Sequence, residues 1–145
     1  MRLTLYSDYS LRLLMYLAIK PTELISIAEI SKAYGISKNH LMKITHQLAL
    51  AGYIETVRGR NGGLRLAKLA TDINIGAIVR LTEADSVLVE CFHMATNTCV
   101  ITSGCKLNHV LRQALDDFYQ RLDRYSLAEL VVEPNSLLNL FFKLT

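Results

Sequence analysis

The strongest constraint on this chain is a single change of hydrophobic period at Gly52. Before it, from Ser26 to Leu50, apolar residues recur at three- and four-residue intervals, the spacing of helices with one buried face. After it, Tyr53–Val57 and Leu64–Ala67 alternate with period two around the tip Arg58-Gly59-Arg60-Asn61-Gly62-Gly63, the pattern of a two-stranded hairpin. Punctuation divides the first block. Ser26 caps a short helix, Ile27 to Ala33, with Glu29 placed to complete a capping box. Tyr34-Gly35-Ile36 is a tight turn in which Gly35 takes a positive φ, and Ser37 caps a second helix, Asn39 to Ala49. The apolar face of that helix is Leu41, Ile44, Leu48 and Ala51. Two short helices about a glycine turn, followed at once by a hairpin, describe a helix-turn-helix carrying a β wing.

The flanking segments are helical. Residues 7–19 predict a helix capped by Ser7 or Asp8, with Leu11, Leu14, Met15 and Ala18 on one face and Pro21 as its stop. Asp72 or Asn74 caps another, through Ile75, Ile78, Val79 and Leu81. Residues 84–104 show no period and read as a loop. From Lys106 to Tyr125 a long amphipathic helix follows, with Leu107, Val110, Leu111, Ala114, Leu115, Phe118, Leu122 and Tyr125 along one stripe. Ser126 and Glu129 form a further capping box before Pro134. The stripe is wider than one small domain needs, which makes the long helix a dimer seam, with an ordinary core helix as the plainer alternative. The expected fold is mostly α: a winged helix-turn-helix domain with a long C-terminal dimerisation helix. Residues 1–80 form the DNA-binding region, 81–105 the cysteine-bearing loop, and 106–145 the dimerisation helix and C-terminal tail.

The chain of 145 residues has mass for one real core, and its 51% hydrophobic content with 8% aromatics and no Trp makes that core aliphatic. No apolar run approaches the roughly 18 residues of a membrane span. Asp8 and Arg12 interrupt the N-terminal apolar stretch, so it does not read as a secretion signal, and the expected compartment is the cytoplasm. The net charge of +3 conceals a split. Residues 1–80 hold 11 Lys and Arg against 5 Asp and Glu, while residues 81–145 hold 5 against 8. Only the first half is suited to a polyanion.

That half carries a reading surface. Ser37, Lys38, Asn39, His40 and Lys43 stand at the N-terminal end of the second helix, which in this motif reaches base edges; Asn can pair with adenine and Lys with guanine. Arg58, Arg60 and Asn61 stand among the wing glycines, where the backbone can approach a phosphate or a narrow minor groove. Arg12 and Ser26 complete the expected contact set. A single recognition helix gives too little specific affinity, so the expected partner is a palindromic operator in double-stranded DNA, bound by a homodimer. His40 and His46 on the same helix are surface or phosphate contacts before they are metal ligands.

The whole cysteine inventory, Cys91, Cys99 and Cys105, falls in the aperiodic loop with the spacing C-x7-C-x5-C. This is neither a zinc-finger spacing nor a C-x-x-C redox motif. Loosely spaced thiolates suit an iron–sulfur cluster, whose core orders the loop around it. Such a cluster needs a fourth ligand, and His93, His109, Asp8 or a small exogenous molecule could supply it. A zinc ion on three Cys and one His, or metal-free sensing of thiol oxidation, is the alternative. An enzyme using a reactive cysteine pair is disfavoured: Cys105 precedes a helix, yet nothing resembles a substrate pocket.

The opening MRLTLYSDYSLRLLMYLA, the block ISKNHLMKITHQLALAGYIETVRGRNGGLRLAK, the INIGAIVR helix, the cysteine loop and LDRYSLAELV run in this order along nearly the whole chain. Together they resemble the iron–sulfur winged-helix transcription regulators of the IscR/NsrR family. The winged block with RGRNGG is the most specific part. In the cluster-assembly members a His three positions after the last Cys completes the ligand set; here that position is Asn108, with His109 one further on. In the nitric-oxide-sensing members an acidic residue near the start of the first helix, matching Asp8, supplies the fourth ligand from the partner subunit. The resemblance therefore leans toward the latter branch, although the Cys91–Cys99 interval is longer than its usual pattern. It implies a cytoplasmic, homodimeric repressor with nitric oxide as effector and a cluster of the 4Fe-4S type in preference to 2Fe-2S, held by Cys91, Cys99, Cys105 and Asp8. Nitrosylation of the cluster would release operator DNA. A cluster-assembly or thiol-redox regulator of the same family is the alternative.

Overall fold

Helix α1 (Leu5–Ile19) is the element on which the others assemble: α3, α4, α6, α7 and the wing all touch it. The structure, a computed structural model, describes residues 2–142. Leu13, Leu14, Tyr16, Leu17, Ala18 and Ile19 of α1 are buried, while Leu11 and Met15 of the expected face are half-buried against the same cluster. The cap differs from expectation. Thr4 begins the helix, its hydroxyl accepting from the Ser7 amide at 3.2 Å. Ser7 is fully buried instead, with its Oγ 2.8 Å from Thr82 Oγ1.

Helix α2 (Ile27–Tyr34) starts at Ser26, whose Oγ accepts from the Glu29 amide. Only half of the expected capping box forms. Glu29 turns its carboxylate away to accept from Tyr16 OH at 2.9 Å and Lys20 Nζ at 2.8 Å, since a partly buried phenol and an ammonium offer more than one backbone amide. Burial and that hydrogen bond push Tyr16 up to about 12. Gly35 (φ 67°) turns the chain into α3 (Lys38–Leu50), and Gly52 (φ 74°) turns it out again. Strands β1 (Ile54–Val57) and β2 (Gly63–Leu66) pair antiparallel, Ile54 opposite Leu66 and Val57 opposite Gly63. Leu64 also exchanges both backbone hydrogen bonds with Ile25, at 2.8 and 2.9 Å. Gly63 permits that approach: a Cβ there would lie 2.9 Å from the Ile25 backbone.

Of the two caps open for α4 (Ile75–Thr82), Asn74 is the one used, and Asp72 lies in the preceding 3-10 turn. Asn74 serves twice, accepting from the Ala77 amide and donating through Nδ2 to the Asp123 carbonyl at 2.7 Å. Residues 84–105 are irregular apart from single 3-10 turns at Glu90–Phe92 and Thr102–Gly104. Helix α5 (Lys106–Leu122) is shorter at its C-terminal end than the predicted span, because Asp123 caps it and is clamped there. Arg80 grips the Asp123 carboxylate with two nitrogens, at 2.6 and 2.7 Å, while lying 4.6 Å from the Tyr119 ring centroid. No side chain of α5 is buried; Leu107 and Val110 are 63% and 55% exposed. Helix α6 (Leu127–Leu130) carries the expected Ser126–Glu129 capping box, and α7 (Pro134–Phe142) follows. Both return to α1: Leu127 is fully buried, and Phe141 stacks edge-on against Tyr16 and Tyr34. One aliphatic core therefore draws on residues from Leu13 to Val131. No helix among the described residues is long and apolar enough to cross a membrane.

Gly76 is where the clamp leaves no room, for a Cβ would stand 2.0 Å from Asp123 Oδ1 and 3.0 Å from its backbone nitrogen. Gly76→Ala should cost about 1–3 kcal/mol by overpacking and lower the melting temperature by several degrees. Gly104→Ala, at a site with nothing within 4 Å, should melt with the wild type. Thermal denaturation followed by circular dichroism checks both.

Candidate nucleic-acid interface and thiol loop

Helix α3 is oriented by its apolar face. With Leu41, Ile44 and Leu48 buried, Lys38, Asn39, His40 and Lys43 are left exposed toward its N-terminal end. Ser37 and Ser26 are exposed but committed as caps, each hydroxyl oxygen accepting from a backbone amide, so what they can offer a phosphate is the hydroxyl proton. At the wing tip Arg58, Arg60 and Asn61 are all exposed. Gly59 has φ 113°, and a Cβ on Gly62 would strike the Val57 carbonyl, so the tip needs its glycines to turn. The third wing arginine behaves differently. Arg65 is paired across the strands with Glu55 at 2.9 Å, which holds the Glu55 carboxyl below its usual range. Among the described residues, Lys38, Lys43, Arg58 and Arg60 make no ion pair. These four cations of the recognition helix and wing tip are thus not neutralised internally.

Arg12 and Asp8 were expected to serve different partners, DNA and metal, and the structure joins them to each other. Arg12 donates to Asp8 through Nε at 2.9 Å and a terminal nitrogen at 2.8 Å, one helical turn apart, with its guanidinium about 6 Å from the Tyr9 and Tyr34 ring centroids. His40 lies beside Tyr9, ring centroids 6.1 Å apart, which brings the first turn of α3 against α1.

The three cysteines are free thiols. Cys105 is the N-cap of α5 and makes no side-chain capping bond. Cys91, in the first 3-10 turn of the loop, is tied to the same helix end: its Sγ accepts from Asn108 Nδ2 at 2.9 Å. The amide cannot flip, because Arg112 Nε donates to Asn108 Oδ1 at 3.0 Å and an arginine only donates. Arg112 in turn lies 4.3 Å from the Phe92 ring centroid. Two thiols therefore stand at the N-terminal end of a 17-residue helix. Cys99 is exposed at the far end of a bight whose neck is stitched by Glu90 Oε1, which accepts from Thr98 N at 2.7 Å and Oγ1 at 2.6 Å. Those two bonds hold the Glu90 carboxyl below its usual range.

These donors suit a cluster by their chemistry: three accessible thiols in one largely irregular segment, two of them at a helix N-terminus. Their arrangement is open. Among the described residues no three His, Cys, Asp or Glu side chains are grouped to hold a metal ion, so binding one requires the loop to close. Of the fourth-ligand candidates, His93 is engaged with Thr96 Oγ1, His109 is exposed on α5, and Asp8 is held by Arg12. Sequence reasoning marked Asn108 only as the place where a histidine was missing. Its pairing with Arg112 is signalled by their four-residue spacing on a helix, whereas its donation to Cys91 spans 17 residues and has no local signal.

Comparison with known proteins agrees with this architecture. Residues 3–133 match the Rrf2 family, described as an iron-dependent transcriptional regulator. A protein named HTH-type transcriptional regulator NsrR from Bacillus subtilis is 50% identical over 141 residues, 97% of this chain and 97% of that one. Its namesake from Shouchella clausii is 49% identical over 138 residues, 94% of this chain and 93% of that one. Among solved structures, the oxidized form of Staphylococcus aureus CymR superimposes with TM-score 0.72 at 27% identity, covering 90% of this chain and 95% of that one. T. potens IscR shares the fold, with TM-score 0.72 at 22% identity over 92% of this chain and 88% of that one. The chain belongs to the Rrf2 family: it is a winged-helix transcriptional regulator, not an enzyme.

One residue of α3 is out of keeping with its setting. Thr45 is buried among the aliphatic face with no partner for Oγ1. Thr45→Val, which replaces that hydroxyl by a methyl, should stabilise by about 1 kcal/mol, a rise of roughly 2–4 °C in melting temperature for a chain of this size. Operator affinity should not change, since the side chain faces the core.

Proposed function

We propose that this Rrf2-family chain is a cytoplasmic, homodimeric repressor that binds a palindromic operator and is switched by nitric oxide acting on an iron–sulfur cluster. The observation that carries the reading is the convergence of two of the chain's three free thiols on the head of α5, in a chain about half identical over its length to regulators named NsrR. The exposed stripe of α5 is the dimer seam, as an unburied apolar face on a 17-residue helix needs a partner. Lys38, Asn39, His40 and Lys43 read the major groove, with Ser26 and Ser37 at phosphates and Arg58, Arg60 and Asn61 in the flanking minor groove.

Cys91, Cys99 and Cys105 would hold the cluster, with Asp8 of the partner subunit as the fourth ligand; a four-iron core is favoured over a two-iron one. When bound, the cluster supplies iron that nitric oxide can attack. Asp8 is the weak member of the set, because a carboxylate is a harder ligand for iron than a thiolate. It is also contested, since its two oxygens are the ones Arg12 holds. Were they to hold a metal, Arg12 would be free for a DNA phosphate; as observed, it is paired with Asp8. One carboxylate then serves two partners in turn, which couples the loop to the reading head. Metal-free sensing of thiol oxidation is the second reading, favoured by the exposure of Cys99.

Anaerobic purification tests the first reading: a coloured protein with iron and sulfide, followed by loss of the operator mobility shift on nitric-oxide titration. A colourless protein whose shift responds to peroxide would support the second instead. Asp8→Ala should abolish nitric-oxide-dependent release, and unchanged release would overturn the role given to Asp8. Lys38→Ala should weaken binding by about 1–3 kcal/mol and relax one base preference, whereas Arg60→Ala should lower the salt slope by about 1. Wild-type affinity in both variants would show the reading surface to be elsewhere.

A further inference from the structure

Glu83 is a buried carboxylate, 9% exposed, that neither DNA contact nor thiol chemistry requires. It terminates α4 and opens the cysteine loop. Its Oε1 accepts from the Thr4 amide at 2.8 Å, from Thr4 Oγ1 at 2.8 Å and from Ser7 Oγ. Burial alone would raise its pKa; these donors together outweigh burial and hold the carboxyl below its usual range. It therefore stays charged, at a desolvation cost that only a full set of donors offsets.

Capping α1 does not explain this arrangement, because Thr4 already caps the Ser7 amide. The carboxylate instead joins two segments 79 residues apart. On one side are Thr4 and Ser7, within about one turn of Asp8, the partner of Arg12. On the other are Glu83 and Ser86, which lead into the loop that carries Cys91. Beside the junction lies a solvent-open cleft of about 200 Å³ lined by Arg2, Leu3, Val87, Leu88, Leu115 and Phe118, which leaves the two segments unpacked on that side.

We propose that Glu83 is a positioning residue that transmits movement of the cysteine loop to the first turn of α1, with Thr4 and Ser7 as its receivers. It rests on the reading of the loop as the sensing element. Glu83 ties the loop entrance to the helix bearing Asp8, so displacement at one end is felt at the other within the same subunit.

The test has two arms, each on full-length protein. In the metal-free arm the cysteines are alkylated with iodoacetamide to perturb the loop, and amide hydrogen exchange is read at residues 4–9. Exchange should speed up roughly fivefold or more in the wild type, the low end of typical coupling between sites. In Glu83→Gln alkylation should add nothing further. If alkylation leaves residues 4–9 untouched in the wild type, or acts equally in the variant, the proposal is overturned. In the loaded arm, one nitric-oxide titration is followed by cluster absorbance and by anisotropy of labelled operator. In the wild type the two curves should coincide; in Glu83→Gln the absorbance curve should hold its place while DNA release lags severalfold. Coincident curves in a variant that merely melts lower would mark Glu83 as structural only. A wild type without iron or without a response to nitric oxide refutes the functional reading, and the metal-free arm still decides this inference. Should Glu83→Gln fail to fold, Ser7→Ala removes one donor, spares the carboxylate, and is expected to shift in the same direction.

Discussion

Everything in this molecule depends on one helix having two kinds of neighbour at once. Along α1, Leu13, Leu14 and Leu17 are completely enclosed, and α3, α4, α6, α7 and the wing supply the enclosure. Its first turn, by contrast, adds to the packing of Tyr6 a set of buried polar contacts, Thr4 and Ser7 against Glu83 and Thr82. An apolar seat fixes position through many small, non-directional contacts and tolerates little displacement. A polar one is directional, so it has discrete arrangements. The helix is thus seated by apolar packing where it supports α3 and by directional polar contacts where it meets the entrance of the cysteine loop.

The same division explains what could be read from the sequence. Helices α2, α3 and α4, the wing, and the Ser126–Glu129 cap are local: period, cap and glycine lie within a few residues of one another, and each appears close to where the pattern puts it. Errors arose where a distant residue outbid a local one. Ser7 looked like a cap and is claimed by α4; Glu29 looked like half of a capping box and is claimed by Tyr16 and Lys20. The last turn of α5 stops early because Arg80, 43 residues back, seizes Asp123. Long-range polar pairing leaves no periodic trace, which is why Glu83 passed unnoticed.

At the site, residue types were legible and their arrangement was not. Three cysteines in one aperiodic stretch indicated a shared role, but not that Cys91 hangs from the head of α5 by Asn108 while Cys99 stands apart in solvent. The reading surface was the easier part. A polar end on an amphipathic helix is set by the helix period alone, and Lys38, Asn39, His40 and Lys43 could only point outward once Leu41, Ile44 and Leu48 point in.

The pairing of Leu64 with Ile25, made possible by the bare backbone of Gly63, has a mechanical meaning. It stitches the wing to the strand-like entry of α2, so the hairpin is a fixed flange of the helix-turn-helix and not a flap on a hinge. A signal arriving through α1 cannot lift the wing and leave α3 in its groove. It must tilt the whole head, withdrawing groove and backbone contacts in one stroke. On the proposed function, such a head would engage and leave its operator as one body.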